Sequence, residues 1–212
     1  MHDALVNARD RWEIRPRTVI DVGAAQGKWS LLCEGIWPSA EYLLVEPLEE
    51  NREPLAMLAK SRPGWRHVAA AAGAAGGEVE FAVAPDLDGS GVYDKGQGLE
   101  TRTVPVVALH SLVDHSDDCL LKLDTHGYEV PILKGSSGLL DQATLLVIEA
   151  YGQRLTSRSL LFHELCGYLL ERGFRTAGIV DIMCRPGDGS FWQADFFFLR
   201  SDHPVFRNNR FQ

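Results

Sequence analysis

Along the chain, short continuous apolar runs alternate with stretches in which apolar residues recur every three or four positions. Thr18–Val22 is an apolar run closed by glycine, and the spacing of Trp29, Leu32, Cys33 and Ile36 then predicts a helix with one buried face. Tyr42–Val45 predicts a second buried strand, ending at Glu46-Pro47. A charged helix follows, with Leu55, Leu58 and Ala59 turned inward, and His67–Ala71 reads as a third strand. Strands separated by helices of this length predict βαβ units and a parallel sheet. The pattern then changes. Glu78–Ala84 and Thr103–Val107 read as strands with no helix between them, only the glycine-rich stretch LDGSGVYDKGQGLET. Cys119–Leu123 and Leu145–Glu149 are again buried strands. Leu161, Leu165, Tyr168 and Leu169 mark a helix that ends at Gly173 as a C-cap. Phe174–Met183, the turn RPGDGS and Phe191–Leu199 predict a closing hairpin.

Composition narrows the class. A chain of 212 residues with 45% hydrophobic content supports a packed core, and it reads as a single domain over residues 1–212. No apolar run reaches the ~18 residues of a membrane span. The first residues, MHDALVNARDRW, have neither signal-peptide nor anchor character. Cys33, Cys119, Cys166 and Cys184 are scattered, which points away from a disulfide framework or zinc site and towards a reducing cytoplasm. The net charge of −8 argues against a nucleic-acid partner. Oligomeric state is left open.

Two segments carry the chemistry. The first is VIDVGAAQGKWSLL, Val19–Leu32, whose turn Gly23-Ala24-Ala25-Gln26-Gly27 lies between a strand and a helix. A P-loop needs a Gly-Lys-Ser/Thr ending, and Lys28-Trp29 does not supply it. A dinucleotide fingerprint needs a small residue at position 28, where this chain has lysine. The turn instead suits a nucleoside ligand with an amino-acid moiety. Asp21 stands before it to anchor an ammonium through water, and Glu46 stands at the next strand's end to accept ribose hydroxyls. The second is LLKLDTHGYEVPILKG, Leu120–Gly135. In open parallel sheets the ligand crevice lies outside the carboxyl ends of the strands, so Asp21, Glu46, Asp124 and Glu149 are expected along one rim. Asp124 alone would read as a helix cap. His126 can take a proton at neutral pH or merely orient its neighbours. Lys122, inside an apolar run, needs a carboxylate partner such as Asp124 or Glu149, and its part in the chemistry is open.

On these segments, together with YLLVEP, LEENREPL, VAAAAG, GEVEF, TRTVPVVALHSLVD, LLVIEAYG, FHELCGYLLERGF and QADFFFLR, the chain resembles the FkbM family of S-adenosylmethionine-dependent methyltransferases. The resemblance runs through a core of residues 17–200. It implies an α/β, Rossmann-like class I methyltransferase fold: a seven-stranded, mostly parallel sheet with an antiparallel last strand and helices on both faces. It also implies S-adenosyl-L-methionine as cofactor and methyl transfer to a hydroxyl of a sugar, polyketide or similar small metabolite. Gly23, Ala24, Ala25 and Gly27 would lie under the methionine part of the cofactor, supported by Asp21. Glu46 would hold the ribose, Pro47, Ala70 and Ala71 would border the adenine, and Asp124 would face the methyl-transfer site. Many members carry glutamate where this chain has His126. Met1–Arg15 reads as an added helix that covers the cofactor or contacts a partner.

The expected reaction is in-line transfer, with positioning carrying much of the catalysis and a base adding roughly 10²–10⁴-fold. His126 is the first candidate for that base, followed by Asp124 and Glu149. A divalent cation held by Asp124, His126 and Glu149 is the less favoured alternative. The loop Asp88–Glu100, with Gly89, Gly91, Gly96 and Gly98, is a candidate lid over the acceptor. The rival functions are a non-catalytic nucleoside-binding module and a nicotinamide-dependent oxidoreductase.

Overall fold

The computed structural model describes residues 1–94, 98–113 and 118–211. Gly96 of the candidate lid lies outside the described residues. The strands are β1 Thr18–Val22, β2 Glu41–Val45, β3 Trp65–Val68, β4 Ala71–Ala72, β5 Gly77–Val83, β6 Glu100–Val107, β7 Cys119–Leu123, β8 Ala143–Tyr151, β9 Phe174–Cys184 and β10 Phe191–Arg200. The helices are α1 His2–Asp10, α2 Lys28–Glu34, α3 Glu49–Ser61, α4 Glu129–Lys134, α5 Ser137–Leu140 and α6 Phe162–Leu170.

Seven strands form the main sheet in the order β3-β2-β1-β7-β8-β10-β9. Strand β10, the last in the chain, runs antiparallel to both β8 and β9, and the other pairings are parallel. This is the expected sheet. Every residue of β1 and β7 is buried, as a central parallel strand covered on both faces requires. One face packs Leu121, Leu146, Phe196 and Phe198 under α4, α5 and α6. The other packs Val19, Leu120, Val147 and Phe197 under α1 and α2. The chain reverses direction between β1 and β7, so a crevice opens at the carboxyl ends of these two strands.

The structure departs from the sequence reading at three places. The third strand stops at Val68 instead of running to Ala71. Ala71 and Ala72 pair instead with Val106 and Val107 of β6, in a separate three-stranded sheet ordered β4-β6-β5. Small side chains allow this approach: a Cβ on the next residue, Gly73, would lie 2.6 Å from Val106 Cγ1. Helix α6 ends at Leu170, and Gly173, with φ of 80°, turns the chain into β9. Helix α1 does not cover the crevice; its buried Leu5 and Ala8 pack with Phe197 and Leu199 against the sheet face, and Trp12 meets Phe197 edge-on.

Candidate active site

The glycine turn follows β1 directly. Gly23 has φ of 77°, and a Cβ there would sit 2.0 Å from the Asp124 carbonyl oxygen. Only glycine lets the turn meet the end of β7 this closely. Gly27 has φ of 75°, and a Cβ would lie 2.7 Å from Leu58 Cδ1, so its small size serves the packing of α2 on α3. Ala25, with φ of 44°, aims its N–H at Glu46 Oε2 over 2.9 Å. Leu48 N–H donates to Glu46 Oε1, also over 2.9 Å. The first turn and the end of β2 are thereby clamped together through one buried carboxylate. Burial pushes that carboxyl above its ordinary range, against the pull of the Leu48, Ala25 and Asn51 donors.

A cavity of about 640 Å³ runs along the carboxyl ends of β1, β2, β7 and β8, a size usual for small-molecule sites. Gly23, Ala25, Glu46, Pro47, Ala70 and Ala71 line one end. Asp124, His126, Glu149, Tyr151 and Trp192 line the other. Four sequence candidates, Ala24, Gly27, Asp21 and Lys122, lie behind this wall. Ala24 is packed into the core. Gly27 faces Leu58. Asp21 is fully buried: Ser30 Oγ donates to its Oδ2 over 2.7 Å, while its Oδ1 has no partner. Burial raises the Asp21 carboxyl, and Lys122 and Ser30 oppose that rise.

Lys122 also stands behind the wall and is not among the lining residues. Its ammonium donates to Asp124 Oδ2 over 2.6 Å and lies 5.6 Å from the Trp29 ring centre. Burial disfavours its charge, but Asp124, Asp21 and Asp195 outweigh that and hold it protonated. Asp124 shows the converse. Burial would raise its carboxyl, yet Lys122 and His126 keep it below the ordinary range.

His126 adopts an uncommon left-handed φ of 52° at the tip of the turn after β7, followed by Gly127 at 95°. Glu129 closes that turn from beneath: its carboxylate accepts from Gly127 N–H over 2.9 Å and from Thr125 Oγ1 over 3.2 Å. The His126 ring is held on both sides. Nε2–H donates to the Asp88 carbonyl over 2.6 Å, and Nδ1 is 2.7 Å from Tyr151 Oη and 3.4 Å from Glu149 Oε2. Tyr151 in turn donates to Glu149, as does Gln193. Burial disfavours the imidazolium, but Glu149, Asp124 and the Asp88 carbonyl together push His126 up to about 9. The phenol of Tyr151 is driven well above its ordinary range by burial and by the Glu149 charge, so it stays a neutral donor.

Asp124, His126 and Glu149 thus converge as expected, each offering an atom within 4.8 Å of the other two. Asp88 ties the candidate lid to this group through its carbonyl, and Ser157 holds Asp94 further along. Sequence reading missed Tyr151, Gln193, Glu129 and Asp195. Tyr151 was within reach, because it lies two positions past Glu149 and therefore on the same face of β8. Gln193 and Asp195 enter only through the register of the closing strand, opposite Tyr151 and Glu149.

The sequence model of the methyltransferase FkbM domain matches residues 21–176. The chain belongs to the FkbM methyltransferase family. No curated protein matches it. Among solved structures, this FkbM-family chain is similar to a methyltransferase FkbM from Methylobacillus flagellatus KT, with a TM-score of 0.58 and 15% identity over 91% of the chain. The match takes in 47% of that protein, so the chain spans about half its length. It is also similar to the 1,6-didemethyltoxoflavin-N1-methyltransferase of Burkholderia thailandensis, solved with S-adenosylhomocysteine bound. That match has a TM-score of 0.52 and 15% identity over 95% of the chain and 77% of that protein. The magnesium protoporphyrin IX methyltransferase of Synechocystis PCC 6803, solved with its methyl donor bound, gives a TM-score of 0.52 and 12% identity, over 94% of the chain and 78% of that protein. At these identities the likeness is one of fold, and it places the FkbM-family chain among class I methyltransferase folds.

Proposed function

We propose that the chain is an S-adenosylmethionine-dependent O-methyltransferase acting on a hydroxyl of a small metabolite such as a sugar or polyketide. The observation that carries this reading is one continuous cavity. It joins Glu46 at the end of β2 to the Asp124, His126, Tyr151 and Glu149 group at the ends of β7 and β8. The residues present fit the cofactor. Gly23 and Ala25 bring the turn to the cavity wall with no bulky side chain in the way. The Glu46 oxygens accept from two backbone N–H groups and from the Asn51 side chain, which leaves one lone pair for a ribose hydroxyl. Asp21 Oδ1, buried without a partner beneath the turn, can hold a water bridging to an ammonium.

When bound, S-adenosylmethionine supplies an electrophilic methyl on a sulfonium. The chain's own part is to position the acceptor oxygen and to take its proton. His126 is protonated at neutral pH with both N–H groups engaged, so in this arrangement it acts as a donor that orders the site. Asp124, held ionised by Lys122, is a weak proton acceptor that suits a nearby cation. Glu149 is the carboxylate we assign to the hydroxyl proton, with Tyr151 and Gln193 fixing its orientation. Lys122 positions Asp124 and does not touch the cavity. We read residues 17–200 as one catalytic domain working in the cytoplasm, with the 1–15 segment as a buttress.

A second reading adds a divalent cation among Asp124, His126 and Glu149, favoured by their mutual approach within 4.8 Å. It requires His126 to lose its proton and its Tyr151 contact, which makes it the weaker of the two. Methyl transfer that survives a chelator would remove it.

Calorimetric titration with S-adenosylmethionine and S-adenosylhomocysteine tests the main reading. Micromolar binding is expected, weakened at least tenfold in Glu46→Ala, since each hydrogen bond to a charged group contributes roughly 1.5–3 kcal/mol. Binding indifferent to Glu46, or stabilisation by NAD alone, would sink it.

A further inference from the structure

The acceptor end of the cavity has an uneven charge balance. Its lining includes the acidic residues Asp86, Asp88, Asp124 and Glu149, and among the described lining residues there is no lysine or arginine. Among the described lining residues the one cation is His126, and it faces Glu149 at 3.4 Å. Asp124 is matched from behind by Lys122 at 2.6 Å. These four charges cancel in pairs. Asp86 and Asp88 are left over. Both are exposed, Asp86 Oδ1 accepts from Gly89 N–H over 3.3 Å, and neither has an ion-pair partner among the described residues.

Their position is fixed. The segment that carries them is tied down by the His126 N–H to the Asp88 carbonyl, by Ser90 Oγ to Ala84 N–H over 2.9 Å, and by the pairing of Gly91 with Ala82. The opposite wall is aromatic. Trp192 lines the cavity and meets Tyr151 edge-on with ring centres 6.0 Å apart. An indole face beside carboxylates is a favourable setting for an organic cation. A phosphate or carboxylate entering the same space would meet the charges of Asp86 and Asp88 and, among the described lining residues, no lysine or arginine to bind it.

We propose that the methyl acceptor is an amino-bearing alcohol, an amino sugar or a comparable amino-alcohol, whose ammonium lies between Asp86, Asp88 and Trp192 while its hydroxyl reaches Glu149. This rests on the methyltransferase reading above. It assigns the charge of the acceptor, and it sets this site against phosphorylated and nucleotide-linked acceptors. The chemistry balances: the hydroxyl oxygen would gain the methyl as the donor's carbon–sulfur bond breaks, S-adenosylhomocysteine would leave with that electron pair, the hydroxyl proton would pass to Glu149, and the ammonium is unchanged.

The test starts with S-adenosylhomocysteine titration of the wild type and of an Asp86→Asn/Asp88→Asn double variant. Failure of that step counts against the cofactor reading and is thereby separated from the acceptor proposal. The loaded proteins are then challenged with matched triples sharing one carbon skeleton: glucosamine, glucose and glucose 6-phosphate, and 3-aminopropanol, propanol and 3-hydroxypropyl phosphate. Binding is read by calorimetry and methylation by product mass. The expected order within each triple is amine, then neutral, then phosphorylated. The amine's advantage over the neutral member should be about tenfold and shrink to near parity in the double variant, as two partly exposed ion pairs imply. The proposal is overturned if a phosphorylated member binds best, if the three bind equally, if the double variant keeps the preference, or if no amine binds at millimolar concentration.

Discussion

At the residue scale, the most demanding position is Gly23. A substitution to alanine adds a methyl 2.0 Å from the Asp124 carbonyl, at a φ of 77°. The strain of a left-handed residue and the overpacking against backbone together predict a loss of roughly 2–4 kcal/mol. Urea denaturation of Gly23→Ala checks this; a change below half a kcal/mol would mean that the turn yields easily. Lys122 makes a different demand. Its replacement by methionine leaves Asp124 and Asp21 without their shared cation. Removing one partner of a buried pair predicts about 3–5 kcal/mol of destabilisation, with Asp124 released towards a higher pKa. If Lys122→Met instead proved neutral in denaturation, the pair would have to be far better solvated than its burial implies. At this scale the sequence was legible where a residue's chemistry is unusual for its surroundings. A lysine in LLKL, a glutamate before proline and a glycine after VIDV each announce themselves. Tyr151 and Gln193 do not, because an aromatic or an amide at a strand end has an ordinary packing explanation.

At the element scale, the alternation of helix and strand periods predicted the main sheet well, since buried parallel strands are almost uniformly apolar and βαβ units have few alternatives. The small sheet β4-β6-β5 was not legible. Two alanines carry no strand signal, and their partner β6 is about 35 residues away in sequence, at Val106 and Val107; only tertiary contact creates β4. Helix α1 was legible as a helix, but its destination was not. Polar and charged residues make up just over half of it, and only Leu5 and Ala8 are buried. Since α1 sits away from the cavity, its stability and ligand effects should separate. Leu5, fully buried, predicts roughly 2–5 kcal/mol of destabilisation on truncation to alanine, with the affinity for S-adenosylhomocysteine unchanged. A loss of affinity in folded Leu5→Ala, measured by calorimetry, would restore the idea that this helix shapes the cofactor site.

At the scale of the whole molecule, the buried charges on the α1 and α2 side of the sheet make stability depend on pH in a predictable direction. His126 is raised in the folded chain to about 9, from an ordinary value near 6.5. Asp195, opposite Glu149 on β10, is raised to about 7 from 3.8, because burial outweighs the attraction of Lys122 and the charges of Asp124 and Glu149 add to the rise. A group whose pKa is raised by folding stabilises most when protonated in both states, and the contribution fades as pH climbs through the folded value. For Asp195 it is complete below about pH 4 and fades through pH 7; for His126 it is complete below about pH 6.5 and fades through pH 9. Asp124 is lowered and works the other way, losing its contribution as acid protonates it. The chain should therefore be most stable on the acidic side of neutrality and weaken in two steps towards pH 10. Chemical denaturation from pH 4 to 10 follows the decline, and two variants assign its parts. Asp195→Asn should remove the decline that ends near pH 7, becoming more stable than the wild type at pH 8 while differing little at pH 4. His126→Asn should remove the step near pH 9. A flat wild-type profile between pH 6 and 10 would show that neither group carries the charge relations drawn here, and with them would go the assignment of His126 as a protonated donor and of Glu149 as the base.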